Sequence, residues 1–225
     1  MPNNTNVSKT KVYRFPIIVA SVLGLAFFLP AGSLMYWEAW IYWLGTFAIA
    51  MFTTYYFLKK DPMLMDRRSQ VGEKEPQKLI VRIISFLSVF SFLIPGFDYR
   101  FHWSAVPVWL VIASNIVVFL GFVLIFFVFK ENSYASSIIE VDKKQRVITT
   151  GPYAIVRHPM YSAILIIALF TPLALGSYWA LPGFLLFVPV NIFRIIDEEK
   201  LLIRELPGYR DYCSKTHYRL IPLIW

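Results

Sequence analysis

Apolar residues are concentrated in six stretches of the chain, and polar residues collect between them. The six stretches cover residues 15–35, 36–58, 79–96, 105–129, 160–176 and 178–195. A helix needs about 20 residues to cross the hydrocarbon core of a bilayer, so the first four stretches are long enough and the last two are short. The glycines of "GSYWALPG" (176–183) predict a turn that joins the last two into a tight helical hairpin. The length of this hairpin is compatible with a full crossing or with burial among the other helices.

The composition is typical of an integral membrane protein. Hydrophobic residues make up 57% of the 225 positions and charged residues only 16%, whereas soluble domains average about 25% charged residues. The mean hydropathy is +0.57. A chain this apolar has too few polar side chains to cover the surface of a water-soluble globule. The pattern therefore predicts an all-α integral membrane fold, a polytopic bundle of about six transmembrane segments.

Basic residues mark one side of this bundle. Of the 22 Lys and Arg residues, all but Arg100 lie before the first stretch, between the second stretch and the start of the third, between the fourth and fifth, or at and beyond the end of the sixth. The positive-inside rule then places both termini in the cytoplasm. The net charge of +8 follows from this topology and from anionic membrane lipids, so no nucleic-acid partner is expected. The expected location is the plasma membrane of a prokaryote or the endoplasmic reticulum of a eukaryote.

Residue types that bind metals or nucleotides form no known motif in this chain. Cys213 is the single cysteine, and the three histidines lie far apart. Neither a G-x-G-x-x-G nor a G-x-x-x-x-G-K-[ST] motif occurs, so a Rossmann or P-loop nucleotide site is unsupported. No metal site is expected.

The polar segments divide the chain into two predicted regions. Residues 1–129 form four transmembrane helices with a basic cytoplasmic loop, and residues 130–225 contain the hairpin, its flanking polar segments and a C-terminal tail. Since residues 130–158 and 196–225 flank the hairpin, both should reach the same membrane face. We expect a pocket between them that opens to the cytoplasm and the bilayer, with the tail covering it.

The first polar segment ends in "GPYAIVRHPMY" (151–161). Gly151-Pro152 predicts a turn, and Pro159 suits the first turn of a helix. His158 would then be the N-cap and Tyr161 would follow about one turn later, so both side chains could face one spot. Free N–H groups at a helix start favour a carboxylate or phosphate.

A simpler interpretation of the same segment is a membrane-interface anchor. Its tyrosines would lie among the lipid headgroups, and Arg157 would bind a lipid phosphate. The turn and the combination of residues favour a reaction site over this anchor.

The second polar segment, "FRIIDEEKLLIRELPGYRDY" (193–212), carries a pair of charges at helical spacing. Arg194 and Glu198 are four residues apart and share one helix face. Arg194 also lies at the end of an apolar run, where an ionisable residue is a candidate for function. The other charged residues are predicted to form a solvated face: Glu199, Lys200, Arg204 and Glu205.

Three quoted segments together resemble one enzyme family. "GPYAIVRHPMY", "DEEKLLIRELPGYRDY" and the closing "YRLIP" are similar to the isoprenylcysteine carboxyl methyltransferase family, in its compact, bacterial-type form. The resemblance covers about residues 130–222. Two positions depart from the family pattern: Ala163 replaces a frequent glycine, and Leu206-Pro207-Gly208 replaces a Phe-Gly pair.

The resemblance implies a cofactor, S-adenosylmethionine (SAM), with S-adenosylhomocysteine as the product. It implies that Glu198 holds a polar part of SAM and that Arg194 orients the nucleophile, so both are candidate catalytic residues. The remaining cofactor-binding residues that it implies are Gln145, Arg146, Val147, Ile148, Tyr153, His158, Pro159, Met160 and Tyr161.

The predicted function is therefore methyl transfer from SAM to a lipophilic acceptor in the cytoplasmic leaflet. An isoprenylcysteine-like carboxylate is the leading acceptor because Arg194 can orient an anion. An amine such as phosphatidylethanolamine is the alternative within this class.

Two further classes stay open. One is an NADPH-dependent membrane reductase with a related helical core, although Arg146 and Arg157 are the only basic residues of the pocket segment. The other is a non-enzymatic scaffold, which would bind no cofactor.

Overall fold

The computed structural model describes residues 9–69, 75–135 and 145–225, and these residues form helices and connecting turns without a β-strand. The all-α prediction is confirmed. The helices are α1 (Lys9–Ala31), α2 (Trp37–Lys60), α3 (Pro62–Ser69), α4 (Glu75–Phe101), α5 (Val108–Glu131), α6 (Pro159–Ala174), α7 (Leu181–Leu185), α8 (Phe187–Glu205) and α9 (Tyr209–Lys215), with a 3₁₀ turn at Gly151–Ala154.

Three helices in the described part of the chain are long and apolar enough to cross a membrane. They are α1 from Val12, α2 and α5. The helix α6 is apolar but has only 16 residues, as the short fifth stretch predicted. Large apolar side chains on α5 point outward, among them Trp109 and Leu120, as expected for a surface that faces lipid. The chain is an integral membrane protein, and the count of six crossings stays a prediction.

The first helix ends earlier than the sequence predicts, at a glycine. The first stretch was expected to reach residue 35, but α1 ends at Ala31. Gly32 has a φ of +62° and its N–H donates to the carbonyl oxygen of Phe28, which closes the last turn of the helix.

The predicted hairpin is present, but its second arm differs from the expectation. α6 ends at Ala174, Gly176 adopts a φ of +71°, and α7 begins at Leu181, inside the segment predicted as turn. After α7, α8 continues past residue 195 to Glu205. Leu201 and Leu202 are buried, and their packing stabilises the helix beyond the end of the apolar run.

Buried hydrogen bonds tie the hairpin to the other helices at the end that carries its turn. The Tyr36 hydroxyl donates to the carbonyl oxygen of Leu175 at 2.5 Å, and Asn115 Nδ2 donates to that of Ala174 at 3.0 Å. Such bonds satisfy polar groups that hydrocarbon could not. They hold α6 in register with α2 and α5.

Close packing of α5 against α6 positions the other end of the hairpin. Gly121 of α5 faces Ile167 of α6, and a Cβ at Gly121 would lie only 2.7 Å from Ile167 Cγ1. A small residue at this contact lets the two helices approach closely. Consequently, the start of α6 lies beside the end of α5, where Phe57, Leu64 and Val128 form a buried cluster.

The C-terminal tail returns to the start of α6. The backbone N–H groups of Arg157 and His158 donate to the carbonyl oxygens of Tyr218 and Arg219, both at 2.9 Å. Ser162 Oγ donates to the carbonyl oxygen of Leu220 at 2.6 Å. The tail therefore fixes the segment before α6 in place.

Candidate functional site

A cavity lies where the end of α5, the start of α6, the middle of α8 and the start of α9 meet. It contains about 880 Å³ of empty space when its open mouth is included. Its walls come from the two polar segments that flank the hairpin, as the sequence predicted. The structure places all eleven predicted site residues in these walls: Gln145, Arg146, Val147, Ile148, Tyr153, His158, Pro159, Met160, Tyr161, Arg194 and Glu198.

The segment before α6 adopts the predicted turn and cap. Gly151 has a φ of +57° and packs so closely on Glu131 that a Cβ would lie 2.6 Å from its Cγ. Thr150 Oγ1 donates to Glu131 Oε2 at 2.7 Å, which fixes the turn to the end of α5. Pro159 is the first helical residue and His158 is the N-cap of α6.

His158 and Tyr161 lie side by side in one wall of the cavity. Their ring centroids are 5.9 Å apart in an edge-to-face arrangement. Arg194 and Glu198 both act electrostatically on the Tyr161 hydroxyl. The start of α6 and the middle of α8 thus place aromatic, cationic and anionic groups around one space.

A buried charge centre lies behind this wall, and Glu199 forms its middle. Arg219 Nε donates to Glu199 Oε2 at 2.7 Å, and His158 Nε2 lies 3.3 Å from Oε1. Arg157 Nε lies 2.8 Å from the same Oε1, an ion pair that lacks hydrogen-bond geometry. Three basic side chains therefore surround one carboxylate.

The prediction that these charged residues of α8 are solvated is wrong for Glu199 and correct for the other three. Glu199 is only 5% exposed, while Lys200, Arg204 and Glu205 are exposed. The helical period explains the difference, because Glu199 lies one turn after Ile195, which is fully buried, and shares its inward face. That spacing was the available sequence signal.

The surroundings of Glu199 keep its side chain ionised. Burial alone would raise the pKa of this carboxyl group. Hydrogen bonds from His158 and Arg219, together with the charges of His158 and Arg157, outweigh burial and lower the pKa to about 2. The buried centre therefore contains a permanent negative charge near neutral pH.

Tyr153 is held at both ends by residues that the sequence analysis did not name as site residues. Asn132 Nδ2 donates to the Tyr153 hydroxyl at 2.8 Å, and the Tyr212 hydroxyl donates to the Tyr153 carbonyl oxygen at 2.7 Å. Burial raises the pKa of Tyr153 to about 12. This tyrosine is a neutral, fixed part of the wall.

Nine further residues of the cavity wall were not named as site residues, although Arg157 was assigned to the pocket segment. They are Asn132, Tyr134, Ala135, Arg157, Leu201, Leu202, Leu206, Tyr209 and Tyr212. The tyrosines of α9 had a sequence signal, since Tyr209 and Tyr212 are three residues apart and share a helix face. Their presence supports the expectation that the tail covers the pocket. Asn132 and Tyr134 lie just after α5, and no sequence pattern identified them as site residues.

Comparison with known proteins shows that most of the cavity residues lie in a segment that matches a methyltransferase family. The phospholipid methyltransferase family matches residues 109–207, which run from α5 to the end of α8. The fold is similar to the solved structure of the eukaryotic intramembrane Ras methyltransferase, isoprenylcysteine carboxyl methyltransferase. The TM-score is 0.55 and the identity 21%, over 99% of this chain and 88% of that one. No curated protein matches the chain in sequence.

These findings indicate the class of the protein, an integral membrane protein whose residues 109–207 match a methyltransferase family. They confirm the resemblance to the isoprenylcysteine carboxyl methyltransferase-like family. The family match begins earlier than the resemblance found from the motifs, because α5 belongs to it, and it ends before α9.

Proposed function

We propose that the protein transfers a methyl group from SAM to a lipophilic acceptor, most favourably an isoprenylcysteine-like carboxylate. The observation that carries this proposal is the shared cavity of His158, Tyr161, Arg194 and Glu198. Segments on either side of the hairpin contribute to it, and their charges and aromatic rings suit the parts of a charged methyl donor.

The cavity residues fit the chemical groups of SAM. Glu198 supplies an anion for the ammonium group or a ribose hydroxyl. The face of Tyr161 suits the sulfonium, and the face of Tyr153 suits the adenine. The N–H groups of the first turn of α6 suit the carboxylate. Because Nε2 of His158 already faces Glu199, its direct contact with the cofactor would use Nδ1.

The proposed reaction is a displacement at carbon. An acceptor oxygen forms a bond to the methyl carbon while the bond from carbon to the sulfonium sulfur breaks, and the sulfur retains the electron pair. A carboxylate acceptor becomes a methyl ester and the cofactor becomes S-adenosylhomocysteine. Arg194 would hold the carboxylate in line with the methyl group, and the buried site would exclude water.

A second guanidinium favours an anionic acceptor. Arg68 of α3 lies with Nη1 3.8 Å from Sδ of Met160, a cavity residue, and its Cζ lies 5.2 Å from the ring centre of Phe129. Burial lowers the pKa of Arg68, and the positive charge of Arg194 lowers it further. A second positive charge near Arg194 strengthens the attraction of this end of the cavity for an anionic acceptor.

An amine acceptor is the second candidate, and the family match favours it. Residues 109–207 match phospholipid methyltransferases, whose name denotes a lipid substrate. In that reaction Glu198 would lie near the amine and the arginines near the phosphate of the lipid. The two acceptors therefore predict different roles for the same charges.

The orientation in the membrane follows from the same arrangement. Arg68, Arg157 and Arg219 all lie near the cavity end of the bundle. Arg100 lies at the opposite end, where its guanidinium faces Gly32. The positive-inside rule supports a cytoplasmic cavity and cytoplasmic termini.

Titration of the detergent-purified protein with SAM, S-adenosylhomocysteine and NADPH tests the cofactor. We expect binding of the first two with micromolar-scale dissociation constants. Preference for NADPH would support a reductase, and no binding of any of the three would support a scaffold.

The acceptor is tested with radiolabelled SAM in two parallel reactions, one with farnesylcysteine and one with phosphatidylethanolamine vesicles. We expect label in a base-labile methyl ester of farnesylcysteine. Label only in the phospholipid would contradict the carboxylate assignment and retain the methyltransferase.

A further inference from the structure

The Tyr209 hydroxyl is buried without a hydrogen-bond partner among the described residues. Its side chain lies at the start of α9, is 4% exposed and lines the cavity. A buried hydroxyl that makes no hydrogen bond destabilises a protein, and each such group in a folded chain needs an explanation. A hydrogen-bond acceptor on a molecule bound in the cavity would supply the missing partner.

Apolar and aromatic side chains pack around the ring of Tyr209. Tyr209 packs in one buried cluster with Leu202, Leu206 and Tyr212, and Val147 packs against that cluster. Its ring centroid lies 5.7 Å from that of Tyr212. Flat surfaces of this kind favour a planar, aromatic ligand group over a charged one.

The charges near Tyr209 further restrict which ligand group can accept a hydrogen bond from its hydroxyl. Burial raises the pKa of Tyr209. The negative charges of Glu199 and Glu198 raise it further, against the opposite effect of Arg157, so the phenol keeps its proton and can donate it. These two negative charges disfavour a further carboxylate at this position. A neutral nitrogen in an aromatic ring meets both conditions, because it accepts a hydrogen bond and carries no charge.

We propose that Tyr209 binds the purine base of the cofactor, with its hydroxyl donating a hydrogen bond to a ring nitrogen. Leu202, Leu206 and Tyr212 would contact the faces of the base. This assignment rests on the proposed use of SAM. It places the base at the α9 end of the cavity and leaves the methyl group to the end formed by Tyr161 and Arg194, with Glu198 near both Tyr161 and Tyr209.

The substitution Tyr209→Phe removes the oxygen and keeps the ring. We expect S-adenosylhomocysteine to bind about five- to tenfold more weakly, the effect of one lost hydrogen bond. The ligand-free variant should melt at the same or a higher temperature than the native protein, because an unsatisfied buried hydroxyl is gone. A purely structural role would lower the melting temperature instead.

Tyr212→Phe is the matched control, since the Tyr212 hydroxyl already donates to the Tyr153 carbonyl oxygen. This variant should lose melting temperature in the ligand-free state. The expected signature is a melting temperature that falls in Tyr212→Phe and does not fall in Tyr209→Phe, although Tyr209→Phe binds S-adenosylhomocysteine more weakly. A melting temperature of Tyr209→Phe as low as that of Tyr212→Phe would overturn the proposal.

Deaza analogues of S-adenosylhomocysteine identify the ring nitrogen. Analogues that lack N1, N3 or N7 are titrated against the native protein and Tyr209→Phe. We expect one analogue to bind the native protein about five- to tenfold more weakly than the parent, with no such difference in the variant. Equal losses for all analogues in both proteins would overturn the proposal.

The proposed function and this inference fail separately. If the native protein binds no S-adenosylhomocysteine, the cofactor assignment fails and the base site fails with it. If the native protein and Tyr209→Phe bind it equally well, only the base site fails.

Discussion

Nε2 of His158 lies 3.3 Å from Oε1 of Glu199, so the residue that caps α6 contacts a buried acid in the middle of α8. This contact crosses the hairpin and fixes the relative position of its two ends. Because His158 also lines the cavity, the buried carboxylate links the stability of the fold to the shape of the site.

Removal of the buried negative charge should destabilise the protein. Glu199→Gln leaves Arg157, His158 and Arg219 without their shared counter-charge. Breaking a buried charge pair typically costs about 3–5 kcal/mol. We expect a loss of this order in the free energy of unfolding, measured by denaturant titration in detergent. Glu205→Gln, on the exposed face of α8, is the control and should change little; equal stability of both variants would contradict the buried centre.

The same carboxylate should make stability depend on acid pH. The pKa of Glu199 is about 2 in the folded protein against an ordinary 4.5, so the unfolded chain binds more protons at intermediate pH. Its contribution is complete above about pH 5 and is lost as the pH falls towards 2, by about 3 kcal/mol in total. Unfolding titrations between pH 6 and 3 measure the slope. Glu199→Gln should flatten it, and an unchanged slope in this variant would exclude Glu199 as the source.

Replacement of Arg194 should impair the reaction more than cofactor binding. Arg194→Lys keeps the charge and loses the planar, two-pronged donor geometry that aligns a carboxylate. Misalignment of reacting groups can cost about 100-fold in rate, and we expect a loss of that order in kcat/KM for farnesylcysteine. The dissociation constant of S-adenosylhomocysteine should stay within about twofold. Lys200→Arg, with an exposed side chain, is the control; equal effects on rate and binding would contradict the acceptor role.

The glycine contact between α5 and α6 should be sensitive to one methyl group. Gly121→Ala places a Cβ about 2.7 Å from Ile167 Cγ1, which forces the helices apart and typically costs about 1–3 kcal/mol. Thermal unfolding in detergent measures the loss. Because Ile167→Ala removes the opposing atoms, the double variant should be more stable than the sum of the single effects predicts. Additive losses would show that the contact is not steric.

Hydropathy and motif spacing predicted most of the helices and the residues that share the cavity. The apolar runs predicted the ends of α2, α5 and α6 within three residues and those of α1 within six, because a membrane span depends on local composition. His158, as the N-cap before Pro159, was predictable from proline alone, because proline favours the first helical turn.

Other features depend on tertiary contacts that no local pattern encodes. The burial of Glu199 required a partner from the tail, Arg219, which lies 20 residues further along the chain. The contribution of α9 depended on the return of the tail to α6. The spacing of Tyr209 and Tyr212 indicates a shared helix face, but the return of the tail is needed to place that face in the cavity wall.

The most direct test of the central claim is a calorimetric titration of S-adenosylhomocysteine into four proteins. These are the native chain, His158→Ala, Glu198→Ala and the double variant, each first checked for native helical content by circular dichroism. If both sides of the hairpin bind one cofactor, each single variant should lose at least about tenfold in affinity, or about 1.4 kcal/mol. Native affinity in either single variant would contradict a cofactor site shared across the hairpin.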